Sequence, residues 1–236
     1  VKTETRHALK QDKFRLAAQG GVDWVSEHRS GVMRWVIAGV VALVVIVGAL
    51  IAWTVRSSSA QDALHAAMDI YTAPLNQPGT PPQPGAYNTA ADRAKAANQK
   101  FLDVAKQYSM MPDAKKAHYF AGVTDMELGQ NGPAESELKE AAGAWDGNIS
   151  NLAKLALAGL YHQTGRDPQA VDLYNELVKK PSTTVSAATA QLALADLYVA
   201  ENKQDQARAI WAKIKDSDKD SMAGSIAAQK LTGKQQ

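Results

Sequence analysis

The chain has 236 residues, 45% of them apolar and 6% aromatic, with 26 Lys and Arg against 24 Asp and Glu and no Cys. The length allows one or two domains, and the missing cysteines exclude disulfides, thiolate metal sites and a cysteine nucleophile. A formal charge of +2 is too small to mark a nucleic-acid binder, and a mean hydropathy of −0.29 excludes a polytopic membrane protein.

Residues 1–34 form a basic arm carrying Lys2, Arg6, Lys10, Lys13, Arg15, Arg29 and Arg34. Residues 7–19 read as a short helix, Gly20-Gly21 interrupts it, and residues 22–30 resume toward the apolar run that begins at Trp35. Leu9, Leu16, Trp24 and Val25 are mixed with Lys10, Lys13 and Arg15. Three readings stay open: a helix lying on an anionic leaflet, a docking handle for a partner, and a solvated arm that only enforces topology.

Residues 35–55 read WVIAGVVALVVIVGALIAWTV, with no charge between Arg34 and Arg56. As a helix this run covers about 30 Å, the thickness of a bilayer's hydrocarbon core. Trp35 and Trp53 are expected at headgroup depth, with Arg34 and Arg56 reaching outward as anchors. The run is too long for the apolar part of a signal peptide, so an uncleaved transmembrane helix is expected. No Lys or Arg occurs between Arg56 and Arg93. The excess of positive charge before the span predicts a cytoplasmic N-terminus and a C-terminal domain across the membrane, residues 56–236. The spacings Ala38-x3-Ala42 and Gly48-x3-Ala52 would admit a second helix closely, although such spacings are common in apolar segments.

Beyond the span the chain is rich in Ala, Leu and charge, without strand-like alternation. Ala97, Ala134, Ala170 and Ala207 recur at intervals of 37, 36 and 37. Phe101, Leu138, Tyr174 and Trp211 stand four residues after them, and Val104, Ala141, Leu177 and Ile214 three further on. Each set marks one helical face. In the preceding helices, Leu157 and Tyr161 are followed by Gly165, and Leu194 and Tyr198 by Asn202; Gly122 precedes Gly129 by seven. Gly or Asn at these places suits a left-handed helix end. Asp167-Pro168 and Gly132-Pro133 read as N-cap and first helical residue.

This Leu…Tyr…Gly…Ala…Tyr…Leu…Pro pattern resembles the tetratricopeptide repeat, best over 151–181 and well over 188–217. It is weaker over 115–145, where Asp125 takes the place of Tyr. The resemblance implies an all-α fold: a single transmembrane helix followed by a tetratricopeptide-like (TPR-like) solenoid of helical hairpins. Repeats are expected at about 90–112, 113–149, 150–184 and 185–220, with a capping helix at 221–231. A degenerate first helix over 58–72 would precede a surface loop, 73–89, holding Pro74, Pro78, Pro81, Pro82 and Pro84.

The resemblance places a concave wall on the first helix of each unit. Its candidate protein-binding residues are Tyr119, Val123, Met126, Leu152, Leu155, His162, Gln163, Leu192, Asp196 and Val199, a mixture suited to an extended peptide or a partner helix. TPR domains that clamp a carboxylate need Lys with Asn or Arg at the second and sixth positions. Here Lys116/Phe120, Leu152/Ala156 and Thr189/Ala193 leave Lys116 alone as a match. The five His residues show no i, i+4 pair, and no phosphate loop or nucleophile-elbow motif is present. Glu135/Glu137 and Asp216/Asp218/Asp220 read as solvated faces. No catalytic, metal or cofactor site is expected, and Asn148-Ile149-Ser150 is a formal glycosylation sequon with no other support.

The order of parts, an arm with LKQDKF and DWVSEHR, one uncleaved span and a degenerate repeat domain, looks like the bacterial TPR-like family that includes the ancillary SecYEG translocon subunit (YfgM-type). That resemblance implies an inner-membrane adaptor with a periplasmic domain. Its partners would be an emerging polypeptide, the Sec translocon, periplasmic chaperones and the lipid bilayer. The alternative is a structural accessory subunit of a larger inner-membrane complex, in which span and arm do most of the binding. An enzyme is the least supported reading.

Overall fold

Residues 29–79 and 81–233 are described by the computed structural model, and their contacts divide the chain at Val55/Arg56 into two units. The expectations for residues 1–28 lie outside the described residues. The described residues form nine helices: α1 (Arg29–Tyr71), α2 (Ala90–Gln107), α3 (Pro112–Glu127), α4 (Asn131–Ala142), α5 (Gly147–Gln163), α6 (Asp167–Lys179), α7 (Ala187–Ala200), α8 (Gln204–Ser217) and α9 (Met222–Thr232).

The sequence suggests two helices on either side of Arg56; the structure has one. Helix α1 runs through Arg56-Ser57-Ser58-Ser59 without a break. Nothing there removes a helix hydrogen bond; the first proline is Pro74, beyond the helix end. Between Met33 and Val55 the exposure of its large apolar side chains runs from 46% at Val47 to 81% at Trp35. Among the described residues no other helix covers this surface, and its length and apolarity make it a candidate membrane span.

From Arg56 onward the chain is a row of antiparallel hairpins, each helix packed on the next: α2 on α3, α3 on α4, and so on to α8 on α9. The alanine series lies where helices cross: Ala97, Ala134, Ala170 and Ala207 are all 0% exposed. Phe101, Leu138, Tyr174 and Trp211 are buried one turn on. The facing helices present Gly122, Ala158 and Ala195, each buried. Small residues at both contacts let the backbones approach, and the bulky residue fills the space beside them. In the first hairpin the continuation of α1 supplies Ala60, Leu64 and Ala67 against Ala97, Phe101 and Val104.

The turns inside the hairpins repeat as well. Gly129, Gly165 and Asn202 take φ of 70°, 72° and 62°. After each, an N–H returns to the carbonyl five residues back: Gln130 to Asp125, Arg166 to Tyr161, and Lys203 to Tyr198, at 2.8, 2.7 and 2.8 Å. These are Schellman ends. They feed the next helix so directly that the expected N-caps move. Arg166 rather than Asp167 caps α6, and Gln130 rather than Gly132 caps α4; neither makes a side-chain capping bond. Ser186 and Ser221, by contrast, cap α7 and α9 with their hydroxyls.

The proline-bearing loop 73–89 closes on itself. Tyr87 N–H donates to the Pro74 carbonyl at 3.0 Å, and Asn76 N–H to the Tyr87 carbonyl at 2.8 Å. Helix α9 packs on both α7 and α8, covering Ala207, Trp211 and Ile214 together with its own Ala227.

Candidate protein-binding surface

The first helices of successive hairpins also meet one another: α3 touches α5, and α7 touches α9. The row of candidate residues lies along these helices. Tyr119, Met126, Leu152 and Leu155 are half-buried and packed against one core cluster. Leu192 and Val199 pack on a different cluster, shared with α8 and α9. Val123 is half-buried and Gln163 exposed. Tyr119 sits edge-on to Phe120 with ring centroids 5.1 Å apart, and burial raises its phenol's pKa.

The polar candidates have partners within the fold. His162 Nδ1 lies 2.7 Å from Asp167 Oδ1, so this histidine ties α5 to the start of α6. Lys230 Nζ donates to Asp196 Oδ1 at 2.5 Å, an exposed ion pair between α9 and α7. Lys116 pairs with Asp113 at 2.7 Å on its own helix. Arg56, read as a membrane anchor, also donates from Nη2 to the Gln107 carbonyl at 2.6 Å and lies 5.5 Å from the Tyr108 ring centroid. Trp35 and Trp53 are exposed on α1, which also carries Arg34.

Two polar centres escape sequence reasoning. Asp125 is 2% exposed, in the position that Tyr161 and Tyr198 occupy in the later units. Asn98 Nδ2 lies 2.8 Å from Asp125 Oδ1 and 3.0 Å from Thr124 Oγ1, whereas Asp125 Oδ2 is buried without a hydrogen-bond partner. Burial pushes the Asp125 carboxyl up to about 6; the Asn98 hydrogen bond opposes this and the charge of Glu137 adds to it. The departure from Tyr at this position was the only signal in the sequence.

The second centre is Glu135, expected on a solvated face. It accepts from Lys139 Nζ and pairs with Arg166 Nη1, both at 2.7 Å, and Tyr161 OH reaches it at 3.3 Å. The bonds from Lys139 and Arg166 hold its carboxyl below the usual range. Glu137 likewise lies 2.6 Å from His118 Nδ1. Both carboxylates stand at contacts between helices and are only partly exposed, whereas Asp216 and Asp220 are fully on the surface.

Two open grooves involve the second helices. One lies between α6, α7 and α8, along Val178, Leu194, Tyr198 and Ile210; another lies beside α2, along Ala63, Ala66, Ile70 and Val104. Among the described residues no group of three or more His, Asp or Glu is placed to hold a metal ion.

A family model described as a tetratricopeptide repeat-like domain matches residues 33–173. The match starts within the apolar part of α1 and runs through α2–α5 into α6. No curated protein and no solved structure matches the chain.

Proposed function

The chain belongs to the tetratricopeptide repeat-like family, and on that basis we propose that it is a membrane-anchored adaptor whose hairpin row binds a protein partner. TPR-like domains typically serve as protein-interaction modules rather than enzymes, and the family match supports that class of role. The carrying observation is α1. One unbroken helix joins an exposed apolar run to the first hairpin of the solenoid. Such a tether confines the domain beside a membrane and raises its effective concentration toward partners there, without any new contact.

In this reading residues 1–34 are cytoplasmic, 35–55 span a bacterial inner membrane and 56–236 are periplasmic, on the charge asymmetry around the span. The partner is an emerging polypeptide near the Sec translocon or a periplasmic chaperone. Tyr119, Val123, Met126, Leu152, Leu155 and Gln163 form the first part of the binding wall, and His162, Leu192, Asp196 and Val199 the rest. Half-buried apolar side chains along such a wall gain further burial when an apolar helix face or extended segment docks.

Photo-crosslinkers at Leu155 and Leu192 of the full chain, in its native membrane, test this. Capture of discrete protein partners well above that from Lys139, exposed on α4, is the expected result. Equal capture from all three positions rejects the wall.

A second reading is favoured by the pairing of Asp196 with Lys230 and of His162 with Asp167, which leaves fewer polar groups for a ligand. There the chain is an accessory subunit held by its span and arm. Stoichiometric co-purification of a complex that survives deletion of residues 91–236 would select it.

A further inference from the structure

Helices α2, α4, α6 and α8 end, and α3, α5, α7 and α9 begin, on one edge of the hairpin row. Arg56 lies on that same edge, bonded to the Gln107 carbonyl at the end of α2. The loops along this edge touch their neighbours: Thr183 Oγ1 donates to Asn148 Oδ1 at 2.6 Å, and Asn151 Nδ2 to the Lys180 carbonyl at 2.8 Å. Covalently, the chain passes from Arg56 directly into the apolar run ending at Val55.

The exposed large apolar side chains of the domain concentrate here. Trp145 is 105% exposed, Met222 81% and Met110 79%, each in or beside a different loop of this edge. On the opposite edge, among the described residues, the corresponding exposure is Leu75 at 40%. Trp145 has no packing role in the fold. Full exposure of a tryptophan to water is unfavourable, whereas a headgroup layer accepts its ring and its N–H together.

We infer that this edge, through Met110, Trp145 and Met222, is a lipid-contacting surface seated in the headgroup layer of the membrane that α1 enters. The inference rests on the reading of residues 35–55 as a span. Each loop contributes little alone, but a tether at Arg56 makes their insertion intramolecular.

The chain has no cysteine, so single labels can be placed freely. Met110→Cys, Trp145→Cys and Met222→Cys, each carrying an environment-sensitive fluorophore, are reconstituted as full chains in vesicles of phosphatidylethanolamine and phosphatidylglycerol. Gln130→Cys and Gln169→Cys label the opposite edge, and Val44→Cys labels the apolar run. Lipids quenching at shallow depth should quench the first three labels several-fold more than those at 130 and 169, with Val44→Cys quenched by deep probes. Quenching at Val44→Cys with none at 110, 145 and 222 overturns the inference and leaves the span intact. No quenching at Val44→Cys overturns the span, and the inference falls with it. Labels at 110, 145 and 222 that are open in these vesicles but shielded in native membranes would assign the edge to a protein partner and also overturn it.

Discussion

Gly122 and Leu138 meet where α3 crosses α4: a Cβ on Gly122 would lie 2.6 Å from Leu138 Cγ and 3.2 Å from the Ala134 carbonyl oxygen. The later units carry Ala158 and Ala195 at the equivalent crossings, so this hairpin is the most closely approached of the three.

Gly122→Ala therefore destabilises the protein even though alanine is the better helix former. Leu138 is fully buried and cannot swing aside, and overpacking of this kind costs about 1–3 kcal/mol. Thermal unfolding of the full chain in detergent should show a lower Tm. Leu138→Ala in the Gly122→Ala background should lose less than Leu138→Ala alone, because the added methyl then occupies vacated space.

Asp125 gives the fold a pH dependence of unusual sign. Its folded pKa of about 6 lies above the ordinary value of 3.8, so the native state holds the proton more tightly than the unfolded chain. The contribution from this group is greatest below about pH 4, falls as the pH rises toward 6, and is flat above. Asp125→Asn keeps the shape, retains an acceptor for Asn98 and removes the buried charge. We expect it to raise stability at pH 7.5 by about 2 kcal/mol and to abolish the slope between pH 4 and 6. An unfolding series across that range, wild type against variant, reads both.

Asn202 holds a left-handed position that Gly129 and Gly165 fill in the other turns. Asn202→Gly should be neutral or slightly stabilising, while Asn202→Val should cost about 1–2 kcal/mol because its branched Cβ, which Asn lacks, crowds the backbone at positive φ. Paired melting curves of the two variants decide it.

Glu135 pairs with Lys139 on its own helix α4 and with Arg166 at the start of α6. Its lowered pKa means that its contribution is present at neutral pH and is lost as the pH falls through the depressed folded value. Glu135→Gln should lower Tm at low ionic strength, with the gap narrowing in high salt because these partly exposed charges are screened. A gap unchanged by salt would mean that packing, not charge, is what Glu135 supplies.

The ladder of helices and the apolar span were legible from neighbouring residues alone. The alanine series, the bulky residue four places on and the Gly, Gly and Asn turn positions all act within a few residues of themselves, because helix faces and left-handed ends are set by local backbone geometry. Twenty-one uncharged residues between two arginines are equally local.

Pairings between residues far apart in the chain needed the folded molecule. Asn98 meets Asp125 across 27 residues, and Lys230 meets Asp196 across 34. Those pairings give Asp196, read as groove, and Asp125, read only as a departure from Tyr, partners on other helices, and no periodicity announces them. The continuity of α1 and the gathering of Met110, Trp145 and Met222 on the edge of Arg56 belong to the same class. Each side chain is inconspicuous in its own window. Only the alternation of helix directions, fixed when the small residues bring the hairpins together, sets them side by side.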